Sequence, residues 1–217
     1  MLATKTVSAV RFAAAFRAGA ALIGENRVQE ALAKRQQLAA EDSQAAEAIT
    51  WHMIGHLQTN KIKLALRFAS CVQSIDRASL VDKLQNRLAQ EGRALDVFVQ
   101  VNTSGEASKF GVAPRDASAL IRHLQRAERL RLRGLMTIGR LGATPEAARP
   151  SFAMLRALRD QLLAEGTLHF GQAELSMGMS ADFEIAIEEG ATLVRVGSAI
   201  FGERPTPDSY YWSESKK

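Results

Sequence analysis

The chain has 217 residues, 47% hydrophobic and 24% charged, with a net charge of +5, enough for one domain with a sizeable core. No run reaches the roughly 20 apolar residues that cross a bilayer, and Arg11 and Arg17 interrupt the alanine-rich stretch 9–21, so neither a membrane span nor a secretory signal is expected. The single cysteine, Cys71, excludes an intramolecular disulfide and a multi-cysteine metal site, and a cytoplasmic location follows as the default.

In chain order, strand-type runs occupy 2–5, 22–24, 50–54, 71–75, 96–101, 133–137, 174–176 and 193–196. Helical periodicity fills 7–18, 28–39, 61–68, 77–91, 115–126, 146–165 and 180–189. Pro114 and Asp116 mark a helix start, and Gly92, Gly166 and Gly190 mark helix ends. Strands alternating with helices predict an α/β fold with a parallel sheet and right-handed crossovers. Eight such strands predict a closed (β/α)8 TIM-type barrel, with an open doubly wound sheet as the competing topology. One domain is expected over 1–204, with an irregular tail over 205–217 whose Tyr210, Tyr211 and Trp212 are available to pack on the body.

In a barrel, the strand C-termini share one mouth. That rule brings together Lys5, Glu25, Asn26, His56, Ser74, Asp76, Asn102, Thr137, Ser176, Arg195, Gly197 and Ser198. A lysine ending a buried strand is desolvated, which favours its nucleophilic form. After the last strand, Gly197 permits close backbone approach, and free amides beside the Ser198 hydroxyl suit a phosphate. Ser176, at the end of the seventh strand, joins that group, since phosphate sites in such barrels use the loops after strands seven and eight.

Lysine plus phosphate cradle points to a phosphorylated aldehyde, and pyridoxal 5'-phosphate (PLP) is the candidate. Arg195 sits in an otherwise apolar strand, Leu-Val-Arg-Val. It either pairs with a carboxylate or donates to the pyridine nitrogen. In the second case the ring is a poor electron sink, which disfavours carbanion chemistry.

The stretch Trp-His-Met-Ile-Gly-His-Leu-Gln-Thr-Asn-Lys at 51–61 spaces two histidines by four, but Gly55 interrupts any shared helix face, so no metal site is expected. A loop hydrogen-bond network is the expectation for His52. Asp76, Glu25 and Glu106 read as caps and turn residues rather than general acids. Charges of both signs mix along 122–133 with no aromatic-studded basic block, which argues against nucleic acid as a partner.

Seven segments carry a family resemblance: Gly-Glu-Asn-Arg-Val-Gln-Glu-Ala at 24–31, the 51–61 stretch, Ser-Ile-Asp at 74–76 and the long run at 99–111 ending Ser-Lys-Phe-Gly. The others are Arg-Gly-Leu-Met-Thr-Ile-Gly at 133–139, Leu-Ser-Met-Gly-Met-Ser-Ala-Asp at 175–182 and Val-Arg-Val-Gly-Ser-Ala-Ile-Phe-Gly at 194–202. With these, residues 2–204 resemble the YggS/PROSC family of PLP homeostasis proteins, related in fold to the N-terminal barrel of bacterial alanine racemases.

The resemblance implies a barrel that holds PLP as a Schiff base on Lys5. Ser176, Gly197 and Ser198 would take the phosphate, Arg195 would face the ring nitrogen, and Asn26 and Asn60 would neighbour the ring. It further implies a protein that buffers PLP or delivers it to PLP-dependent apo-enzymes, with no strong turnover. A monomer is the default expectation, since no strong apolar surface stripe stands out, and the charge pattern and hydropathy point to neither nucleic acid nor membrane as a partner. A racemase barrel needs a second acid/base on the other face of the cofactor, and both tyrosines here fall in the tail. The alternative is a PLP-dependent enzyme acting on amino acids, such as a weak racemase.

Three features depart from the family. Only residues 1–4 precede Lys5, where members carry a helix and a longer first strand, so a weakened seam with exposed apolar surface is expected. Ala-Thr-Lys replaces the usual Val-Ser-Lys, and Arg27 replaces a frequent aromatic.

Overall fold

The computed structural model describes residues 1–106, 109–140 and 144–202. Eight parallel strands follow one another in sequence order: β1 (Leu2–Ala3), β2 (Leu22–Glu25), β3 (Thr50–Met53), β4 (Cys71–Ile75), β5 (Leu95–Gln100), β6 (Leu130–Met136), β7 (Glu174–Met179) and β8 (Leu193–Arg195). Helices between them are α1 (Ala9–Arg17), α2 (Val28–Glu41), α3 (Ser43–Ala48), α4 (Ile62–Ala65), α5 (Ala78–Glu91), α6 (Ala117–Leu124), α7 (Pro145–Ala164) and α8 (Phe183–Glu188), and α9 (Ser198–Phe201) follows β8. A parallel bridge between Leu2 and Val196 joins the last strand to the first, so the sheet closes into a (β/α)8 barrel. The open-sheet alternative is thereby excluded. The tail and its aromatic residues lie outside the described residues.

Strand parity explains the layering. Val97 and Val99 of β5 face the helices and join the main core, while Phe98, of opposite parity, packs with Cys71 and Met136 in a separate cluster inside the barrel. The helix layer answers with apolar stripes: α5 buries Leu80, Val81, Leu84 and Leu88, spaced for one helix face. Gly92, Gly166 and Gly190 all take positive φ just beyond their helices, as expected.

β1, at the seam, is the shortest of the eight strands. β1 contributes two residues where four are expected. It is joined to β8 by the Met1 amine donating to the Val194 carbonyl (3.2 Å), Ala3 N–H to Val196 O (2.8 Å) and Val196 N–H to Met1 O (3.0 Å). Outside it, Arg11 of α1 donates to the Phe201 carbonyl of α9 (2.5 Å), and Val10 and Ile200 on the same two helices are exposed.

Candidate functional site

A cavity of about 580 Å³ opens at the C-terminal mouth, within the size range of ligand pockets. Lys5, Asn26, His56, Lys61, Gln100 and Phe110 are among its lining residues. They come from positions at or just beyond the ends of β1, β2, β3 and β5. Lys5 is 6% exposed, as a lysine leaving a buried strand should be.

The floor of the β3 loop requires Gly55. A Cβ there would lie 2.2 Å from the Asn26 carbonyl oxygen, so only glycine lets the β2 and β3 loops meet. Beyond it, the His56 ring stacks on Phe110 with centroids 3.8 Å apart and planes 15° apart. His56 Nδ1 is 3.3 Å from an Asp76 carboxylate oxygen, and Arg77 reaches the other at 2.5 Å. Burial alone would raise the Asp76 pKa, but His56 and Arg77 outweigh it and hold the carboxyl below its usual range.

Across the seam the barrel interior holds a directed hydrogen-bond chain. Arg195 Nη1 donates to Ser176 Oγ (2.8 Å), Ser176 Oγ to Gln73 Oε1 (2.6 Å) and Gln73 Nε2 to His52 Nδ1 (2.8 Å). An amide nitrogen only donates, so His52 Nδ1 must be the acceptor and its ring neutral. Burial agrees: it pushes the His52 pKa down to about 4, against an opposing pull from Asp96. Arg195 Nη2 also donates to the Thr137 carbonyl (2.6 Å). Burial lowers the Arg195 pKa to about 10, with the Asp182 carboxylate opposing.

Both hydrogen-bond partners of the buried Arg195 are neutral oxygens, which disfavours the carboxylate-pair alternative. Beside it, Gly197 N–H and Ala199 N–H both point at Ser180 Oγ, at 2.9 and 3.2 Å. Gly197 itself is tightly placed, because a Cβ would lie 2.9 Å from the Ala3 carbonyl oxygen across the seam.

The structure thus gathers the expected residues into two neighbouring groups. Lys5 and Asn26 line the cavity; Ser176, Arg195 and Gly197 are buried at the β7–β8 side; Ser198 opens α9 on the exposed rim. Asn60 is exposed in the short 3-10 turn Thr59–Lys61 and does not line the cavity, whereas its neighbour Lys61 does. His52 does join a hydrogen-bond network, but from β3 inside the barrel rather than from a loop. Glu25, expected at the mouth, turns the other way: it shares parity with Ile23 and is buried toward α2, against Lys34.

Sequence reasoning missed Gln73, Ser180, Phe110 and Lys34. The last had a readable signal. It lies on the face of α2 that buries Val28, Ala31 and Leu38, where a lysine needs a partner. Among the described residues, no three His, Cys, Asp or Glu side chains gather in a metal-binding group, and no helix is long and apolar enough to cross a membrane.

Barrel, seam and mouth together define a barrel of the alanine racemase type, and the model of the alanine racemase N-terminal domain matches residues 2–205. An alanine racemase of Clostridium difficile 630 shares that fold, with a TM-score of 0.72 at 16% identity, over 95% of this chain and 52% of that one. Nearer relatives narrow the class. The pyridoxal phosphate homeostasis protein of Aquifex aeolicus is 42% identical over 93% of this chain and 85% of its own length. The human protein of the same name is 39% identical over 94% and 78%. The structure of PipY from Synechococcus elongatus PCC7942 with PLP bound superimposes with a TM-score of 0.82 at 34% identity, over 93% of this chain and 92% of that one. The chain belongs to the pyridoxal phosphate homeostasis protein family.

Proposed function

We propose that this protein binds PLP at the barrel mouth and keeps it in a releasable form, as a reserve for PLP-dependent apo-enzymes. PLP brings an aldehyde whose carbon forms a C=N bond with an amine nitrogen while the oxygen leaves as water. Everything else is supplied by the chain.

The observation that carries the reading is the pairing of a buried amine with a buried cation across one seam. Lys5 lines the cavity, and Arg195 is met by the neutral oxygens of Ser176 and Thr137, an arrangement that suits an anionic ligand with a ring acceptor. The residues present fit the group. Ser180 already draws the Gly197 and Ala199 amides onto one oxygen atom, as a phosphate oxygen would. The missing Cβ of Gly197 leaves the backbone free to approach.

In this reading Lys5 captures the aldehyde. Gly197, Ser198 and the Ser176 region hold the phosphate, Arg195 orients the ring through its nitrogen, and Asn26 borders the ring. Asn60 belongs to an outer shell reached through its neighbour Lys61. The relatives named for PLP homeostasis and the PLP-bound PipY structure support PLP as the ligand.

The test is delivery. Protein loaded with PLP and freed of excess is mixed with a PLP-dependent apo-aminotransferase, and recovery of that enzyme's activity is followed. The reading expects full recovery at a rate limited by release from this chain. No recovery would contradict it, and so would loss of optical activity from added L-alanine at an enzymatic rate.

A further inference from the structure

Lys5 is held by its neighbours in an unusual way. Thr4, fully buried, donates its hydroxyl to Glu25 Oε1, and its carbonyl accepts from Lys34 Nζ. Lys34 Nζ is also 2.6 Å from Glu25 Oε1. The Thr4 carbonyl takes a second donor, Val7 N–H at 3.0 Å, which closes a four-residue turn around Lys5.

On the far side of the lysine, Thr6 has φ +64°, and it is the one non-glycine residue among those described with a positive φ. For a β-branched residue that backbone is strained. Its N–H points at Glu30 Oε2 (3.3 Å) and its hydroxyl donates to the Lys5 carbonyl (2.6 Å). Both flanks of Lys5 are therefore tied to carboxylates of the β2–α2 segment.

The lower tie is costly. Glu25 Oε2 is buried with no hydrogen-bond partner among the described residues. Burial pushes the Glu25 pKa up, and Lys34 and the Thr4 hydroxyl pull against it. A buried ion pair of this kind seldom adds stability over apolar residues of similar volume. What it supplies here is direction, because it grips the residue before the lysine by both its hydroxyl and its carbonyl.

We infer that Glu25 and Lys34 are positioning residues for Lys5: by clamping Thr4 they set the path on which the Lys5 amine enters the cavity, and so the rate at which it captures an aldehyde. The inference rests on the proposed role of Lys5. It assigns no proton transfer to the pair, which lies behind the strand, between β2 and α2.

The test uses the double variant Glu25→Leu with Lys34→Met, which replaces both charges with apolar groups and leaves no buried ion behind. Three readouts are compared with the unaltered chain: melting temperature, affinity for pyridoxamine 5'-phosphate, which has no aldehyde, and the rate of covalent capture of PLP, read as pyridoxyl-Lys5 after borohydride. The expected result is an unchanged or higher melting temperature, amine-form affinity within about twofold, and capture slowed about tenfold or more. Equal slowing of binding and capture, or capture within about twofold of the original, would overturn the clamp.

Thr4→Val removes only the hydroxyl grip and is isosteric. It is expected to slow capture about threefold, and it decides the matter should the double variant fail to fold, since an unchanged rate there would also overturn the inference. Reductive methylation with formaldehyde, scored at Lys5 against Lys61 in the same cavity, reads the clamp without PLP. If the unaltered chain yields no pyridoxyl-Lys5, the proposed function falls, while a Lys5-to-Lys61 ratio changed by the double variant still supports the clamp and an unchanged ratio still refutes it.

Discussion

On the β1 side of the seam, Lys5 leaves a two-residue strand between two threonines tied to carboxylates, one of them left-handed. On the β8 side, Arg195 and the Gly197 amide are met by neutral oxygens, from Ser176, Thr137 and Ser180. The first side combines ion pairs with backbone strain, and the second keeps a buried positive charge unneutralised at hydrogen-bond distance. In the proposed function the two sides have different tasks. A nucleophile must be aimed, whereas an anion must find its charge and donors still available.

That contrast predicts a graded set of responses. The largest belongs to Arg195→Met. The Thr137 carbonyl loses a buried donor, which should lower stability by about 1–3 kcal/mol, and pyridoxamine 5'-phosphate should bind about tenfold or more weaker, roughly 1.4 kcal/mol. Denaturant melts and a fluorescence titration read the two effects. Unchanged affinity in a folded variant would mean that the β8 side is not the anion side.

Gly197→Ala comes next. The new methyl would meet the Ala3 carbonyl at 2.9 Å, so the seam must shift by a few tenths of an ångström. A cost of about 1–2 kcal/mol is expected, with weaker phosphate binding and no change in Lys5 methylation. A change in Lys5 reactivity would show that the two sides are not separable.

The hydrogen-bond chain inside the barrel carries a pH dependence. His52 has a folded pKa of about 4, below its unfolded value near 6.5. Between those values the unfolded chain binds a proton that the folded chain refuses, so stability rises with pH there. The His52 contribution should be complete above about pH 6.5 and be lost as pH falls toward 4. His52→Gln should flatten that part of a melting-temperature profile, and an unaltered slope would exclude His52 as its source. Smallest is Arg131→Ala. Its ion pair with Asp96 is exposed at the opposite end of the barrel, and urea melts should show a change under about 0.5 kcal/mol with PLP binding intact.

The barrel was largely legible in the sequence. Each of the eight strands overlaps its expected run, because each is a short apolar run set between helical periodicities, although β1 is shorter and β6 and β7 are longer than expected, and glycines ended the helices that they were expected to end. The sides of the site were less legible. Ser176 and Gln73 are 103 residues apart and meet only once the barrel closes, and no local pattern encodes that pairing.

Glu25 shows the limit of reading strand ends. Its place at the end of β2 suggested the mouth, yet its parity with Ile23 turns it to the helix layer, and parity was available from the sequence. Lys34 was similarly visible as a charge on an apolar helix face. Ser180 had no signal, since its role depends on the amides of a turn 17 residues later.

In the proposed function, Lys5 is the point of capture. The direct measurement is to mix the protein with PLP, record the visible spectrum, reduce with borohydride and map the product by mass spectrometry, with Lys5→Ala alongside. The account predicts one pyridoxyl group, on Lys5, with no adduct elsewhere in the Lys5→Ala chain and its affinity for pyridoxamine 5'-phosphate retained. An adduct on Lys61, in the same cavity, in place of Lys5, or no adduct from protein that binds the amine form, would contradict it.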